Sequence, residues 1–304
     1  MKILVTGGAG FIGSHITDAY IKAGHEVVII DNLSSGRREN INPQAKFYEL
    51  DLLDPKVENV FKNENIQVIN HHAAQSSVER SISDPAKDAN SNIIGSLQLL
   101  QLAVTYRIEN FIFASTGGAI YGDQAPVPAS EESPCNPSSP YAIAKLSVEN
   151  YFKFYKNVHG LNCITLRYSN VFGPRQDPYG ESGVIAIFCQ RLVQNTSPLI
   201  FGDGKQTRDF VSVFDVVAAN ILALDSKSNT GVFNVGTGIE TSVLSLTENL
   251  VRLSGKNLGI EFGPPRKGEP RRSAIKHDKF KKYFGWEPNL DFDEVLLETY
   301  KSFS

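Results

Sequence analysis

Two side chains capable of proton transfer, Tyr141 and Lys145, stand four positions apart in a segment whose pattern predicts a helix from Tyr141 to Val158. Residues at i and i+4 of a helix share one face, so the phenol and the ammonium group point the same way. A free tyrosine has a pKa of about 10, and acting as a base near neutrality requires lowering it by about three, or about 4 kcal/mol. A nearby positive charge can do this by stabilising the phenolate. Such pairs are also common on helix surfaces, so their chemistry depends on what lies beside them.

A glycine-rich turn near the start of the chain indicates what that neighbour is. Gly7, Gly10 and Gly13 have the spacing G-x-x-G-x-x-G between an apolar run, Ile3 to Val5, and a helical pattern from Phe11 to Ala23. Glycine is needed where such a turn is tight and where the backbone must approach a pyrophosphate. The next helix then directs its free N–H groups at the phosphates. A dinucleotide cradle beside a lysine-tuned tyrosine predicts redox chemistry at a carbinol carbon.

The choice of dinucleotide depends on Asp31, which ends the second apolar run. A carboxylate there can accept both hydroxyls of the adenosine ribose and would repel a 2′-phosphate, which favours NAD over NADP. Arg37 and Arg38 lie nearby and keep NADP open as the alternative. The pair Asp51 and Leu52 follows the third predicted strand, where it could hold the adenine edge.

The remaining pattern predicts an α/β protein. Apolar runs alternate with helical patterns as far as residue 167, which indicates a Rossmann-like doubly wound parallel sheet with right-handed crossovers. From residue 168 the chain is richer in Gly, Pro and Asn, which predicts a smaller α/β C-terminal substrate domain. We expect residues 1–167 plus about 210–236 to form the NAD-binding domain. Residues 168–209 plus about 237–304 would then form the substrate domain. The further strands are predicted at Val27–Ile30, Lys46–Glu49, Val68–Asn70, Phe111–Ala114, Cys163–Leu166 and Val232–Val235, and the further helices at Ile93–Tyr106, Val184–Val193 and Asp215–Leu224.

Composition excludes several classes of function. The 304 residues carry a formal net charge of −3, so no global basic field points to nucleic acid. No apolar run approaches the length of a membrane span. The three cysteines fit no zinc site or CxxC pair, and an odd number argues for a reducing compartment. These observations predict a cytoplasmic protein without a metal site.

Several motifs along the whole chain carry a resemblance to a known family. They are the glycine cradle, Asp31-Asn32-Leu33-Ser34-Ser35-Gly36, Asp51-Leu52, His72-Ala73-Ala74-Gln75, Ser115-Thr116 before Tyr121-Gly122, Tyr141-x-x-x-Lys145, Arg167-Tyr168-Ser169-Asn170-Val171-Phe172-Gly173-Pro174 and Gly202-Asp203-Gly204-Lys205-Gln206-Thr207-Arg208-Asp209-Phe210. In these the chain resembles the extended short-chain dehydrogenases/reductases, in the nucleotide-sugar epimerase/dehydratase branch, and within it the UDP-glucose 4-epimerases. The resemblance implies NAD-dependent inversion at C4 of a UDP-hexose through a 4-keto intermediate, on UDP-glucose/UDP-galactose and also on UDP-GlcNAc/UDP-GalNAc if a small Ser273 leaves room.

The resemblance also assigns site residues. Tyr141 and Lys145 would be catalytic, with Thr116 as hydrogen-bond partner of the sugar O4. The cofactor would be held by Gly7, Gly10, Phe11, Ile12, Gly13, Asp31, Asn32, Ser35, Gly36, Asp51, Leu52, His72, Ala73, Ala74, Gln75, Asn92, Ser115, Tyr141, Lys145, Tyr168 and Ser169. The substrate would be held by Thr116, Tyr141, Asn170, Val184, Phe201, Arg208, Arg266, Glu269 and Ser273. Arginine suits this task because its planar fork binds two phosphate oxygens.

One stretch departs from the family pattern. The family places Ser or Thr four residues before the tyrosine of the Tyr-Gly pair, where this chain has Gly117, and Thr116 comes one residue early. Either an extra glycine bulges the loop and returns Thr116 to the site, or a water replaces the missing hydroxyl. The acid–base pair of the related dehydratases and the glutamate of the related decarboxylases are both absent from Gly118-Ala119.

Two alternatives remain open at this stage. One is another nucleotide-sugar enzyme, either a UDP-glucuronate 4-epimerase or a 4-keto reductase. The other is a non-catalytic nucleotide sensor, although such proteins tend to lose the tyrosine or the lysine. The family also pairs as a homodimer through helices that here begin near Asn92 and at Tyr141, and Ile93, Ile94, Leu97 and Leu100 are apolar at helical spacing. That spacing is equally compatible with the core of a monomer.

Overall fold

The computed structural model describes residues 1–123, 125–179, 183–224, 230–266 and 270–304. In chain order, the strands of this described part are β1 Lys2–Thr6, β2 Glu26–Asp31, β3 Lys46–Glu49, β4 Val68–His71, β5 Asn110–Thr116, β6 Cys163–Tyr168, β7 Asn170–Phe172, β8 Leu199–Phe201, β9 Thr207–Arg208, β10 Phe210–Ser212, β11 Gly231–Val235, β12 Thr241–Ser242, β13 Glu261–Gly263 and β14 Arg272–Ser273.

The helices of the same part are α1 Phe11–Lys22, α2 Val57–Glu64, α3 Val78–Ser83, α4 Pro85–Ala89, α5 Gly95–Thr105, α6 Gly117–Ile120, α7 Pro140–His159, α8 Val184–Val193, α9 Val213–Leu224, α10 Val243–Ser254, α11 Asp278–Phe284 and α12 Phe292–Lys301. A short 3₁₀ turn covers Arg38–Asn40, and a π-helical stretch, Asn90–Ile94, joins α4 to α5. None of the described helices combines the length and apolar character that crossing a membrane requires.

Seven parallel strands form the main sheet in the order β3-β2-β1-β4-β5-β6-β11. The chain winds outward from β1 in one direction through β2 and β3, then returns to continue on the other side with β4. Ligands bind such sheets at the carboxyl ends of the strands where the winding direction reverses. Here that point lies between β1 and β4, so the ends of these two strands must carry the site.

Side chains of the main sheet alternate between two hydrophobic layers. Ile3 and Val5 pack with Tyr20 of α1 and with α9, whereas Leu4 packs on the opposite face with Phe152 of α7 and with α2 and α5. Strands with both faces covered are apolar at every position, which is why the pattern of β1 and β2 is continuous rather than alternating. The predicted Rossmann-like α/β class is confirmed.

A third hydrophobic cluster lies in the C-terminal half of the chain. It joins α8, α10 and α12 through buried side chains such as Ile185, Leu246 and Leu296. Around it, short strands form two- and three-stranded sheets: β10 with β7, β13 with β8, and β12-β9-β14. This arrangement forms a smaller α/β layer over the carboxyl ends of the main sheet.

The helical region before the fifth strand begins earlier than the sequence pattern predicted. The prediction placed a helix over Ile93–Tyr106, but the continuous helical stretch that ends in α5 already begins at Pro85, and the short helix α3 precedes it. The side chain of Asp84 accepts a hydrogen bond from the Lys87 amide, and proline occupies the first helical position, which together make a strong helix start. The signal was present in the sequence but lay outside the apolar periodicity on which the prediction depended.

Candidate active site

The carboxyl ends of the main strands open into a cleft of about 870 Å³ that runs beneath the smaller layer. Most of the predicted site residues line it: Gly7, Gly10, Phe11, Ile12, Gly13, Asp31, Asn32, Ser35, Asp51, Leu52, His72, Ala73, Ala74, Gln75, Ser115, Thr116, Tyr141, Lys145, Tyr168, Ser169, Asn170, Val184, Phe201, Arg208 and Arg266. Three of the predicted residues, Gly36, Asn92 and Ser273, do not line the cleft. A fourth, Glu269, falls outside the described residues.

The glycine turn after β1 is built for close backbone approach. Gly7 has φ +72°, and a β-carbon on it would lie 2.6 Å from the backbone nitrogen of Ala73, at the end of β4. A β-carbon on Gly13 would lie 2.2 Å from the carbonyl oxygen of Gly7. Side chains at these positions would therefore force α1 and the β4 end away from the turn. The cradle that results fits a pyrophosphate at the N-terminus of α1.

Asp31 presents a buried carboxylate beside this cradle. One of its oxygens accepts the Ala9 amide at 3.0 Å, and the other accepts the Leu33 amide at 2.8 Å. Burial raises the pKa of the Asp31 carboxyl, while these two hydrogen bonds oppose that rise. Gly36 does not line the cleft. It packs against the Asp31 carboxylate so closely that a β-carbon on Gly36 would lie 2.9 Å from both carboxylate oxygens.

The charges around Asp31 favour NAD. Arg37 is ion-paired with Asp177 at 3.2 Å, and Arg38 is ion-paired with Glu49. Both arginines that could have attracted a 2′-phosphate are thus matched by carboxylates.

Tyr141 and Lys145 lie in the first two turns of α7, and both face the cleft. The helix begins at a Ser139 cap followed by Pro140, which places the phenol near the positive end of the helix. The Lys145 ammonium group is buried, donates to the Ala114 carbonyl oxygen at 2.9 Å, and lies 5.9 Å from the centre of the Tyr141 ring. The helix end and the ammonium group both favour a phenolate at this position.

Two neighbouring histidines stay uncharged. Burial, with the Lys145 charge as a second cause, lowers the pKa of His72 to about 3 and holds that of His71 well below its usual range. The His72 ring stacks on Tyr168 and shares a 3.1 Å hydrogen bond with its hydroxyl. The ammonium group of Lys145 therefore has no charged imidazole beside it.

Asn92 supports the wall from behind instead of lining it. Its side-chain oxygen accepts the Gln75 amide, and its nitrogen donates to the Gln75 carbonyl and to Asp88, each at 2.9 Å. Asn92 is the buried residue of the π-helical stretch Asn90–Ile94. Asn92 thus positions Gln75, which lines the cleft, and its own contact with the cofactor stays a prediction.

The loop after β5 shows how the extra glycine is accommodated. The strand ends at Thr116, which lines the cleft, and the helical turn α6 follows at once. Gly117 is buried, and a β-carbon on it would lie 2.4 Å from Cδ1 of Ile275. The next two residues, Gly118 and Ala119, line the cleft. This geometry favours the bulged-loop alternative, in which Thr116 itself faces the site.

The other end of the cleft carries cations beside an aromatic ring. The Arg266 guanidinium lies 4.3 Å from the centre of the Phe201 ring, and Arg208 lines the same region. The Ser169 hydroxyl, between the two ends, is buried and has no hydrogen-bond partner among the described residues. Such an orphaned polar group on a cleft wall fits a bound polar ligand.

Several lining residues were not predicted. One group follows the β4 end and comprises Ser76, Val78, Arg80, Ser83, Asp84, Lys87, Asp88 and Ser91, and another includes Gln176 and Gln206. For the first group the only signal in the sequence was its position directly after His72-Ala73-Ala74-Gln75. Across the described ranges, no group of three His, Cys, Asp or Glu side chains is arranged to hold a metal ion.

A doubly wound sheet, a glycine cradle and a tyrosine–lysine pair on one cleft define a nicotinamide-dependent enzyme that acts on a carbinol or carbonyl group. Residues 3–236 match the model of the NAD dependent epimerase/dehydratase family. The chain belongs to this family, and NAD is its cofactor.

Similar proteins cover nearly the whole chain. A putative UDP-glucose 4-epimerase of Methanocaldococcus jannaschii is 44% identical over 97% of this chain and 95% of its own length. The crystal structure of Thermotoga maritima UDP-glucose 4-epimerase with UDP-glucose has a TM-score of 0.97 at 48% identity, covering 100% of this chain and 98% of that one.

Two further solved structures are similar over the same extent. The Thermus thermophilus UDP-glucose 4-epimerase complex with NAD has a TM-score of 0.94 at 41% identity, covering 100% of this chain and 99% of that one. The UDP-N-acetylglucosamine 4-epimerase of Methanobrevibacter ruminantium, in complex with UDP-N-acetylmuramic acid, has a TM-score of 0.93 at 37% identity, covering 99% and 97%.

Proposed function

We propose that this protein inverts C4 of a UDP-hexose, interconverting UDP-glucose and UDP-galactose with NAD as a cofactor that is restored in every cycle. The observation that carries the proposal is the placement of Tyr141, Lys145 and Thr116 on one cleft, between a dinucleotide cradle and a cationic end beside Phe201. The names of the similar enzymes support the same reaction. Residues 1–167 with about 210–236 would bind NAD, and residues 168–209 with about 237–304 would bind the UDP-sugar.

Bound NAD would supply a hydride acceptor at C4 that later returns the hydride. The residues of the chain manage the proton. The Tyr141 phenolate takes the proton of the sugar O4, and Lys145 together with the α7 N-terminus stabilises the phenolate form. Thr116 would hydrogen-bond to the same O4, which fixes its direction relative to the Tyr141 hydroxyl. The same phenol returns the proton when the 4-keto group is reduced.

Inversion requires the keto sugar to turn over between the two hydride transfers. Arg208 and Arg266 would hold the UDP part, with the uracil against Phe201, so that the nucleotide stays in place while the sugar rotates about its phosphate link. The sugar end is lined by small groups, including Gly118 and Ala119, and offers room for that rotation. Firm binding of the nucleotide and loose binding of the sugar are both needed.

Acetylated sugars are a second group of proposed substrates. Ser273 lies behind Gly118, with its hydroxyl 3.5 Å from the Gly118 carbonyl oxygen, so both residues leave the wall thin at the sugar end. A bulkier side chain at either position would narrow that space. The likeness to a UDP-N-acetylglucosamine 4-epimerase supports this extension to UDP-GlcNAc and UDP-GalNAc.

The test is incubation of the purified protein with UDP-galactose, UDP-GalNAc and UDP-galacturonate, followed by chromatographic separation of the products. We expect the C4 epimer of UDP-galactose to form without added NADH or NADPH. Turnover of UDP-galacturonate alone would show a uronate epimerase instead. A stoichiometric requirement for NADPH would identify a 4-keto reductase, and binding without turnover would identify a sensor.

We further propose that two copies of the chain associate through α7 and the helical stretch beside it. Ile143, Tyr151, Phe154 and Val158 recur along one face of α7 and are 41% to 60% exposed. Ile94, on the neighbouring helical stretch, is 42% exposed. Exposed apolar residues in a row of this kind indicate a surface that a partner covers. A second copy would pair the same face with itself, giving a four-helix contact.

Not every residue predicted for this contact is available. Leu100 is fully buried in the core of the chain, so it stabilises the monomer. Phe154→Glu should convert a dimer to a monomer in light scattering after size exclusion, whereas Leu290→Glu, at another exposed apolar position, should not. A monomeric parent protein at micromolar concentration would end this proposal. The cytoplasmic location predicted from the three cysteines, which are free thiols, also remains a proposal.

A further inference from the structure

One buried guanidinium reaches both ends of the loop that carries Thr116. We propose that Arg167, through Glu149 and Tyr121, is a positioning residue that fixes this sugar-facing loop, residues 116–120, for the transfer at C4. The inference builds on the proposed function, because the loop matters to catalysis only if Thr116 faces the reacting sugar.

The first anchor lies just before the loop. The Ser115 hydroxyl donates to Oε1 of Glu149 at 2.6 Å. Arg167 holds that carboxylate with two nearly parallel hydrogen bonds, from Nε to Oε1 at 3.0 Å and from Nη2 to Oε2 at 2.6 Å. Bidentate pairs of this kind restrict direction as well as distance. The end of β5 is therefore fixed relative to α7, the helix that carries Tyr141.

The second anchor lies just after the loop. Nη1 of Arg167 donates to the Tyr121 hydroxyl at 2.8 Å, and that hydroxyl donates to Oδ1 of Asn234 at 2.7 Å. The guanidinium also lies 5.0 Å from the centre of the Tyr121 ring. Because one rigid planar group contacts both anchors, the separation of the loop ends is fixed by the shape of that group.

Burying the Arg167–Glu149 ion pair costs desolvation free energy, which indicates a role for the pair beyond stability. Arg167 and Glu149 are 4% and 1% exposed, and neither lines the cleft. A buried ion pair is often no more stabilising than well-packed apolar residues of the same volume, whereas its hydrogen bonds are directional. The loop needs external direction because Gly117 and Gly118 have little conformational preference of their own. A loop one residue longer than the family pattern, with two adjacent glycines, would otherwise sample several positions for Thr116.

The test uses substitutions that remove one hydroxyl at a time. Tyr121→Phe removes the second anchor and keeps the ring, and Ser115→Ala removes the first. Tyr48→Phe is the matched control, because the Tyr48 hydroxyl also donates to a glutamate, Glu64. Tyr48 belongs to the edge strand β3 and does not line the cleft. Removing Glu149 itself would leave a buried charge without a counter-ion and would risk unfolding.

Two readouts are taken on each variant. Hydrogen–deuterium exchange of the peptide that covers 114–122 reports whether the loop has loosened. Steady-state kinetics on UDP-galactose, with UDP affinity measured separately, reports whether chemistry has suffered. We expect faster exchange in this peptide and a kcat about tenfold or more lower in both variants, with UDP affinity unchanged. Bound NAD should also be unchanged in Tyr121→Phe, because Tyr121 does not line the cleft. Tyr48→Phe should behave like the parent protein in both measurements.

The outcomes separate this inference from the function on which it builds. Unchanged exchange at 114–122 in both anchor variants would overturn the inference, as would a loosened loop with kcat within twofold of the parent. A drop in kcat that follows a uniform rise in exchange over the whole chain would indicate a purely structural role and would also overturn it. If the parent protein epimerises no UDP-sugar, the proposed function fails, and the exchange data still decide whether Arg167 fixes the loop.

Discussion

A β-carbon at position 117 should destabilise the protein in a way that depends on a single distant side chain. Ile275 is 1% exposed and lies between two glycines. A β-carbon on Gly117 would come within 2.4 Å of its Cδ1, and one on Gly236 within 2.6 Å of its Cγ1. The backbone of Ile275 is also held, because its amide donates to Asp209 at 3.2 Å. The isoleucine therefore has little freedom to move away from Gly117→Ala.

The size of the effect follows from these contacts. Carbon atoms pack best at about 3.5–4.0 Å, so the new contact at 2.4 Å is more than about 1 Å too short. Overpacking of this kind costs about 1–3 kcal/mol. Replacing Gly117 by alanine also reduces the freedom of the unfolded chain, which returns about 0.4–1 kcal/mol. Taking the middle of each range, we expect Gly117→Ala to lower the free energy of unfolding by about 1.3 kcal/mol.

The cause is tested by a second substitution. Ile275→Val removes Cδ1 and should alone cost about 0.5–1.5 kcal/mol. In the double variant the clash is relieved, so its destabilisation should fall short of the sum of the two single effects by about 1 kcal/mol. Urea unfolding followed by circular dichroism measures all four proteins. Gly259→Ala is the control, because no atom lies within 4 Å of a β-carbon at that position.

Two results would refute this reasoning. One is a Gly117→Ala variant as stable as the parent protein within about 0.5 kcal/mol. The other is additivity of the two substitutions within about 0.5 kcal/mol, which is the behaviour of independent sites. Either would mean that Ile275 does not occupy the space beside Gly117, and the bulged-loop geometry that brings Thr116 to the cleft would lose its support.

Three further predictions concern the cofactor, the base and acid stability. Tyr141→Phe should lower kcat by about 10²–10⁴, the usual contribution of a positioned acid–base group, while calorimetry shows NAD and UDP still binding; retained activity would remove the phenol from the mechanism. Gly13→Ala, whose β-carbon would meet the Gly7 carbonyl oxygen at 2.2 Å, should lower both the thermal midpoint and the bound NAD. Gly10→Ala, with a contact of 3.2 Å, should lower bound NAD with a smaller change in midpoint; equal loss of stability in both would contradict this assignment. His72 has its pKa lowered from 6.5 to about 3, so between these values the unfolded chain binds a proton that the folded chain does not, and unfolding free energy should fall as pH drops below about 6.5. His72→Phe should flatten that fall between pH 7 and 5, and an identical pH profile in the variant would argue against a neutral imidazole at this position.

Much of the fold could be predicted because its signals are local. The helix Val184–Val193 and the strand Lys46–Glu49 have the bounds that the pattern predicted, and the other strands of the main sheet differ by at most two residues at either end. Apolar periodicity indicates which faces are buried, and Gly7 and Gly13 indicate close backbone approach. Both features can therefore be recognised from the sequence alone. The class of chemistry followed from the same local spacing of Tyr141 and Lys145.

Only the tertiary structure shows which residues far apart in the chain contact each other. The ion pair of Arg37 with Asp177 spans 140 positions, and the contact of Gly117 with Ile275 spans a similar distance. A single sequence gives each of these residues its type but not its neighbour, because pairing depends on how the layers pack. For that reason the sequence showed only that Gly117 lacks the hydroxyl usual in the family, whereas the fold shows that Gly117 leaves space for the side chain of Ile275. Thr116 lines the cleft because of this packing, which no local sequence pattern indicates.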